Sequence, residues 1–206
     1  MLTIIEQRLL KKIHSSIESS RKNLTVLYFG YGANSSPKFL AKRLKHFEVV
    51  GDGILKNYEL SFNTPCEYLG KGYGGITPLH NSNVYGTIYR ISTEALALLD
   101  VLEWVKYGFY HRETLQIGLI QVEVYVPTNP RENLLPSKQY LEFLVSGATE
   151  MKQPVEYLEF LKSHPYKESF ALDHNFNLRN PSSPRFFPAS LCVLHDRLRE
   201  KLCTLI

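Results

Sequence analysis

Two features of this sequence combine residue types that can do chemistry. The first is the turn GYGANS at residues 30–35, which interrupts the strand-forming run TVLYF at residues 25–29. The second is Glu103, which ends an apolar helical run just before Trp104. Backbone N–H groups in a tight turn can bind an anion or a carbonyl oxygen, and a carboxylate among apolar side chains can transfer protons.

The glycine turn has three interpretations. A dinucleotide site is one, because a strand leads into Gly-x-Gly and Asp52 follows at about the 20-residue spacing of a ribose ligand. Ser35 stands where the third glycine belongs, and this interpretation requires a parallel βαβ unit over residues 25–52. The second is structural, since glycine supplies positive φ between a strand and a helix. The third is a cradle whose bare amides let a ligand approach the main chain.

Glu103 has two interpretations. Acidic residues on amphipathic helices ordinarily face water. Glu103, however, stands among Leu99, Leu102 and Trp104, where desolvation is expected to raise the pKa of its carboxyl group. A carboxyl group with a raised pKa suits a general acid or base.

The elements that must position these residues predict an α+β fold. The pattern indicates helices at residues 1–22, 37–44, 92–103, 136–150, 154–164 and 191–202. Short strands are expected at residues 25–29, 47–50, 58–62 and 84–91, with the glycine-rich segment 71–78 as a connection, and a hairpin at residues 110–117 and 120–126. The absence of regular βαβ alternation favours a compact, mixed, barrel-like sheet surrounded by helices.

Composition narrows the class of protein. The net charge of +4 comes from scattered Lys and Arg, so no nucleic-acid partner is predicted. No apolar run approaches the roughly 20 residues that span a bilayer, and no signal peptide is recognisable, which predicts a cytoplasmic protein without a membrane partner. The 3 Cys form no C-x-x-C pair and the 7 His no ligand spacing, so neither a metal nor a cofactor is predicted.

Four ordered segments resemble the γ-glutamylcyclotransferase family. YFGYGANSS at residues 28–36 is similar to its Y-G-S-N loop, and LLDVLEWVKYGFYHR at residues 98–112 to its acidic motif, in which a Tyr follows the Glu by seven residues. VYGTIYRIS at residues 84–92 and the segment at residues 136–161 also match. The resemblance covers roughly residues 26–164.

The resemblance implies a cofactor-independent enzyme that cyclises a small-molecule γ-glutamyl amide or peptide to 5-oxoproline and releases an amine or amino acid. It implies Glu103 as the general acid and base, with Tyr110 and Tyr140 lining the pocket. The cradle residues that it implies are Tyr31, Gly32, Ala33, Asn34 and Ser35.

Two departures from the family pattern bear on the substrate. Ala33 replaces the usual Ser, which removes a hydroxyl but keeps the amide, and Trp104 replaces the usual Gly, whose added bulk is expected to reshape the pocket. Glutathione, γ-glutamyl amino acids and γ-glutamyl-lysine crosslinks all remain open as substrates. The alternative function is a catalytically inactive small-molecule binding module on the same fold.

Three regions are expected along the chain. Residues 1–24 form an N-terminal helical extension, residues 25–165 the catalytic domain, and residues 166–206 a linker and a helix packed on the same domain. The apolar face of the last helix is expected to cover the core, with a homodimer contact or a docked partner as the alternatives.

Overall fold

The structure, a computed structural model, describes residues 24–66 and 71–168. Its strands are β1 (Thr25–Gly30), β2 (Glu48–Cys66), β3 (Lys71–Ser92), β4 (Tyr110–Ile117) and β5 (Ile120–Pro127). Its α-helices are α1 (Pro37–Arg43), α2 (Thr93–Leu102), α3 (Lys138–Glu150) and α4 (Val155–Ser163). Two 3-10 turns, Gly32–Ser35 and Val105–Tyr107, follow β1 and α2.

The described strands form one mixed sheet in the order β2-β3-β1-β5-β4. β1 is antiparallel to β3 and parallel to β5, and the β2–β3 and β4–β5 pairs are antiparallel. The predicted α+β class is therefore confirmed. Because β2 and β4 are the two edges, the sheet is open and only loosely barrel-like. β3 separates β1 from β2, so residues 25–52 do not form the adjacent parallel pair that the dinucleotide interpretation requires.

The middle of the chain differs from the prediction. The strands expected at residues 47–50, 58–62 and 84–91 belong to two long paired strands, β2 and β3, whose register shifts at three places. The glycine-rich segment 71–78, expected to be a connection, lies within β3. Its glycines reflect close packing: a Cβ on Gly72 would lie 1.9 Å from the Phe62 carbonyl oxygen, and one on Gly75 would lie 2.3 Å from Pro127 Cγ.

The predicted helices within the described residues are confirmed. Ser36 Oγ accepts a hydrogen bond from the Phe39 N–H and begins α1, and Ser92 Oγ accepts one from the Ala95 N–H and begins α2. The two helices expected at residues 136–150 and 154–164 are α3 and α4, and the predicted hairpin is β4–β5.

The sheet buries apolar side chains on both faces. Tyr28 and Phe29 are consecutive in β1, and their side chains point to opposite faces. Phe29 belongs to a cluster with Leu141 and Leu144 of α3, whereas Tyr28 belongs to a cluster with α1 and α2 side chains such as Leu99. β1 is thus the central element from which the turn at residues 30–35 emerges.

The predicted terminal extensions fall almost entirely outside the described residues. Of residues 1–24 and 166–206, the structure describes only residue 24 and residues 166–168. The helices expected at residues 1–22 and 191–202 lie outside the described part, so the domain division stays a prediction. Within residues 24–66 and 71–168, no helix is long and apolar enough to cross a membrane.

Candidate active site

The end of α2 places Glu103 in the interior. Leu96 and Leu99 anchor the helix in the core, and Glu103 caps its C-terminus by donating its N–H to the Leu99 carbonyl oxygen at 2.8 Å. Trp104 then adopts a left-handed conformation, φ 54° and ψ 40°, which ends the helix. Glu103 is only 6% exposed, so the carboxylate is buried as the sequence predicts.

A buried guanidinium binds this carboxylate. Arg43 Nη1 donates to Glu103 Oε1 at 2.5 Å, and the two side chains are 4% and 7% exposed. Asn34 Nδ2 donates to the same oxygen at 3.2 Å. Burial alone would favour the protonated acid, but a cation in contact favours the carboxylate. Only the first of these effects could be inferred from the sequence.

The turn after β1 fits the structural interpretation, and its role as a cradle stays a prediction. Gly32 has φ +57°, which favours glycine. Gly30 has no room for a side chain, because a Cβ there would lie 2.4 Å from the Asn34 carbonyl oxygen. Thr87 Oγ1 and the Tyr89 hydroxyl donate to the Ser35 carbonyl oxygen at 2.7 and 3.0 Å, which fixes the turn on β3.

Two tyrosines line the site and contact the same residue of β3. The Tyr110 hydroxyl donates to the Gly74 carbonyl oxygen at 2.8 Å, and the Tyr140 hydroxyl accepts from the Gly74 N–H at 3.3 Å. These two contacts hold Gly74 from both of its backbone polar groups. The two tyrosines predicted to line the pocket are therefore brought together, although they are far apart in sequence.

Several phenols around the carboxylate remain neutral. Burial raises the pKa of Tyr28 well above its ordinary value, and the charge of Glu103 adds to the effect. Burial likewise raises the pKa of Tyr31 and of Tyr125. At neutral pH these groups therefore act as hydrogen-bonding phenols and not as phenolates.

These groups surround one pocket. Its lining contains every predicted site residue except Ser35, whose hydroxyl donates to the Gly32 carbonyl oxygen within the turn. The lining residues that the sequence analysis did not identify include Tyr28, Phe39, Arg43, Lys71, Tyr73, Gly74, Tyr125, Gln139 and Phe143.

Trp104 does not have the expected effect on the pocket. Its ring contacts Tyr107 and Phe109, with centroids 5.2 and 5.5 Å away. Trp104 is not among the pocket-lining residues, so the expectation that its bulk reshapes the pocket is wrong. In the left-handed conformation at residue 104, the Trp side chain packs against the segment that follows it.

Two buried polar atoms of lining residues have no hydrogen-bond partner among the described residues. One is the acceptor Asn34 Oδ1, and the other is the donor Arg43 Nε. Because Asn34 Nδ2 contacts a carboxylate, which only accepts, the orientation of the Asn34 amide is fixed by chemistry. The site thus combines an acid–base group with unused hydrogen-bonding capacity. In residues 24–66 and 71–168, no group of three or more His, Cys, Asp or Glu could hold a metal ion.

Comparisons with known proteins agree with this geometry. The sequence profile of the AIG2-like family matches residues 83–161. The gamma-glutamylcyclotransferases of Mus musculus and Homo sapiens are each 30% identical to the chain over 148 residues, which covers 68% of this chain and 78% of theirs. A solved gamma-glutamyl cyclotransferase structure superposes with a TM-score of 0.66 at 25% identity, over 72% of this chain and 92% of that one.

The match to these proteins extends over most of their length, and the profile match includes the end of α2. The structural likeness independently gives the same fold. The chain therefore belongs to the gamma-glutamylcyclotransferase family.

Proposed function

We propose that this protein cyclises a γ-glutamyl amide or peptide to 5-oxoproline and releases an amine or amino acid. The observation that carries the proposal is the buried Glu103 carboxylate, which lies in one pocket with the turn at residues 31–34. The relatives at 30% identity are named for this activity, which supports the assignment of the reaction class.

The reaction begins with a proton transfer. The α-amino group of the substrate is mainly ammonium at neutral pH, so the Glu103 carboxylate accepts one of its protons and exposes the nitrogen lone pair. That nitrogen attacks the γ-carbonyl carbon and closes a five-membered ring. Proton transfers of this kind typically contribute about 10²- to 10⁴-fold to the rate.

The turn after β1 serves the second part of the reaction. As the ring closes, the γ-carbonyl oxygen becomes negatively charged, and N–H groups of the turn stabilise that charge or hold the α-carboxylate. The tetrahedral intermediate then collapses, the γ-C–N bond breaks, and protonated Glu103 gives its proton to the departing nitrogen. The ring nitrogen loses its second proton, which leaves with the released amine as its ammonium form. Glu103 returns to its ionised form, and the atoms balance without any co-reactant.

The pocket walls supply orientation. A γ-glutamyl chain is flexible, and the cyclising conformation is one of many in solution. A pocket that holds this chain folded between Tyr110, Tyr140 and the turn makes the substrate lose its conformational entropy on binding. Less entropy is then lost in the cyclisation step, which lowers its barrier. Ala33 is consistent with this role, because the turn contributes main-chain amides and needs no hydroxyl at that position.

The test is mass-spectrometric detection of 5-oxoproline after incubation with glutathione, γ-glutamyl dipeptides and γ-glutamyl-lysine. Wild-type protein is expected to release 5-oxoproline from at least one of these compounds, and Glu103→Gln to lose about 10²- to 10⁴-fold in kcat. Glu94→Gln is the matched control, because Glu94 is an exposed residue of the same helix. Absence of turnover with every compound, together with ligand binding that Glu103→Gln retains, would refute the enzyme and favour a binding module.

A further inference from the structure

Arg43 lies on the helix that follows the turn at residues 32–35, and its guanidinium contacts Glu103. α1 begins at Pro37, directly after the turn, and ends at Arg43. The guanidinium lies 4.6 Å from the centroid of the Phe39 ring, one helical turn earlier, and Phe39 is itself 1% exposed. This buried ring is a platform that holds the guanidinium against Glu103 from the side of α1.

A buried carboxylate and guanidinium depend on each other. Removing one partner of such a pair leaves an uncompensated charge in the interior, which is strongly unfavourable. Burial favours the neutral acid and the guanidinium favours the carboxylate, so the two effects on Glu103 oppose one another. A group that must first accept a proton and later return it requires such a balance.

Two donors bind one oxygen of Glu103. Arg43 Nη1 and Asn34 Nδ2 both contact Oε1. Hydrogen bonds from these groups stabilise the negative charge and so favour the ionised form of Glu103.

We propose that Arg43 is a positioning residue of the cyclisation: it binds Glu103 Oε1, holds the carboxylate in place and keeps it ionised before substrate enters. The part of this inference that concerns turnover rests on the proposed function. Its part that concerns the ionisation of Glu103 stands on the contact alone.

Other groups that face the pocket do not replace Arg43. They are Tyr28 from β1, Tyr31 from the following turn, Lys71 and Tyr73 from β3, Tyr110 from β4, Tyr125 from β5 and Tyr140 from α3. Burial raises the pKa of Tyr28, Tyr31 and Tyr125, so these phenols stay neutral while carboxylates titrate. Lys71 is unchanged in every variant below, so differences from the wild-type protein report the effect of Arg43.

The test compares Arg43→Met, which removes the charge, with Arg43→Lys, which keeps it. Lys38→Met is the matched control, because Lys38 lies on the same helix with its side chain 72% exposed and pairs with Glu150 at the surface. The first readout is kcat/KM between pH 5 and 9. The acid limb of the Arg43→Met profile is expected to move to higher pH by about 1 to 3 units, as for a carboxyl group that loses a contacting cation.

The second readout does not depend on turnover. ¹³C-labelled glutamate carboxyl resonances are titrated by NMR, with Glu103→Gln identifying the Glu103 signal. The Glu103 resonance is expected to titrate at higher pH in Arg43→Met, and near the wild-type pH in Arg43→Lys and Lys38→Met. An unchanged titration in Arg43→Met overturns the proposal, whether or not the wild-type protein releases 5-oxoproline. If the Glu103 titration shifts in Arg43→Met but the wild-type protein releases no 5-oxoproline, the role of Arg43 in the ionisation of Glu103 is supported and the proposed function is refuted.

One further variant and one further condition test whether Arg43→Met fails for lack of the guanidinium. If Arg43→Met does not fold, the double variant Arg43→Met/Glu103→Gln is expected to regain its fold, because no charge is left uncompensated. A double variant as unfolded as the single one overturns the proposal. Millimolar guanidinium is expected to restore part of the kcat of a folded Arg43→Met at neutral pH, with little effect on Lys38→Met.

Discussion

The left-handed backbone at Trp104 leads to a specific prediction about the free energy of unfolding. Trp104 has φ 54°, a conformation that residues with a Cβ adopt at a cost of about 1–2 kcal/mol and glycine adopts freely. Two substitutions, Trp104→Ala and Trp104→Gly, both remove the contacts with Tyr107 and Phe109. The difference between the two variants therefore isolates the backbone contribution.

The magnitude follows from two opposing effects. Ala retains the left-handed penalty of about 1–2 kcal/mol, which Gly avoids. Gly costs about 0.5–1 kcal/mol in extra unfolded-chain entropy. The free energy of unfolding of Trp104→Gly should therefore exceed that of Trp104→Ala by about 0.5–1 kcal/mol. At an ordinary helical position the order is reversed.

The assay is urea unfolding followed by far-UV circular dichroism, because Trp104 is the one tryptophan of the chain and its fluorescence is lost in both variants. The midpoints are compared at equal m-value. Glu142, an exposed residue inside α3, supplies the control pair, and there Gly should be less stable than Ala by about 1 kcal/mol. If Gly is the less stable variant at residue 104 as well, the assignment of backbone strain to Trp104 is refuted.

Two further predictions follow from packing and from pH. Gly72→Ala should lower the free energy of unfolding by about 3 kcal/mol in urea unfolding, because the added Cβ meets the Phe62 carbonyl oxygen. Gly118→Ala, with φ 61° and open space around it, should cost only about 0.5–1 kcal/mol, as at residue 104, and equal losses would contradict the clash. Burial lowers the pKa of His164, whose ring packs on Phe62 and Phe160, so the unfolded chain binds its proton more readily. The free energy of unfolding should therefore fall as the pH drops below about 6.5. The urea midpoint of the wild-type protein should be lower at pH 5.5 than at pH 7.5, and His164→Gln should reduce this difference. The same difference in both proteins would disprove the contribution of His164.

Local signals in the sequence were sufficient for the helices and for the two best site candidates. Ser36 and Ser92 are capping residues that mark helix starts through a contact only three residues away. Glu103 was identifiable because it ends an apolar helical run, and the turn after β1 because glycine interrupts a strand. Each of these signals depends on neighbours within one or two helical turns.

The missed features depend on contacts that are distant in sequence. Arg43 looked like an ordinary basic residue at a helix C-terminus, and it meets Glu103 only because the fold brings together residues that are 60 positions apart. The glycines of β3 looked like a connection, yet Gly75 is required by the proximity of Pro127 on β5. Local composition cannot distinguish a glycine that bends the chain from one that makes room for a neighbouring strand.

The two departures from the family pattern, Ala33 and Trp104, occupy positions where the main chain, and not the side chain, has the proposed role. In the proposed mechanism the turn acts through its amides, so the side chain at residue 33 is free to change. At residue 104 a left-handed backbone ends α2 beside Glu103, and Trp meets that requirement at a cost that its contacts with Tyr107 and Phe109 offset. Asn34, Arg43 and Glu103 act through side-chain atoms. Substitutions at residues 33 and 104 should therefore alter stability more than the reaction, whereas changes in the side-chain set should alter the reaction first.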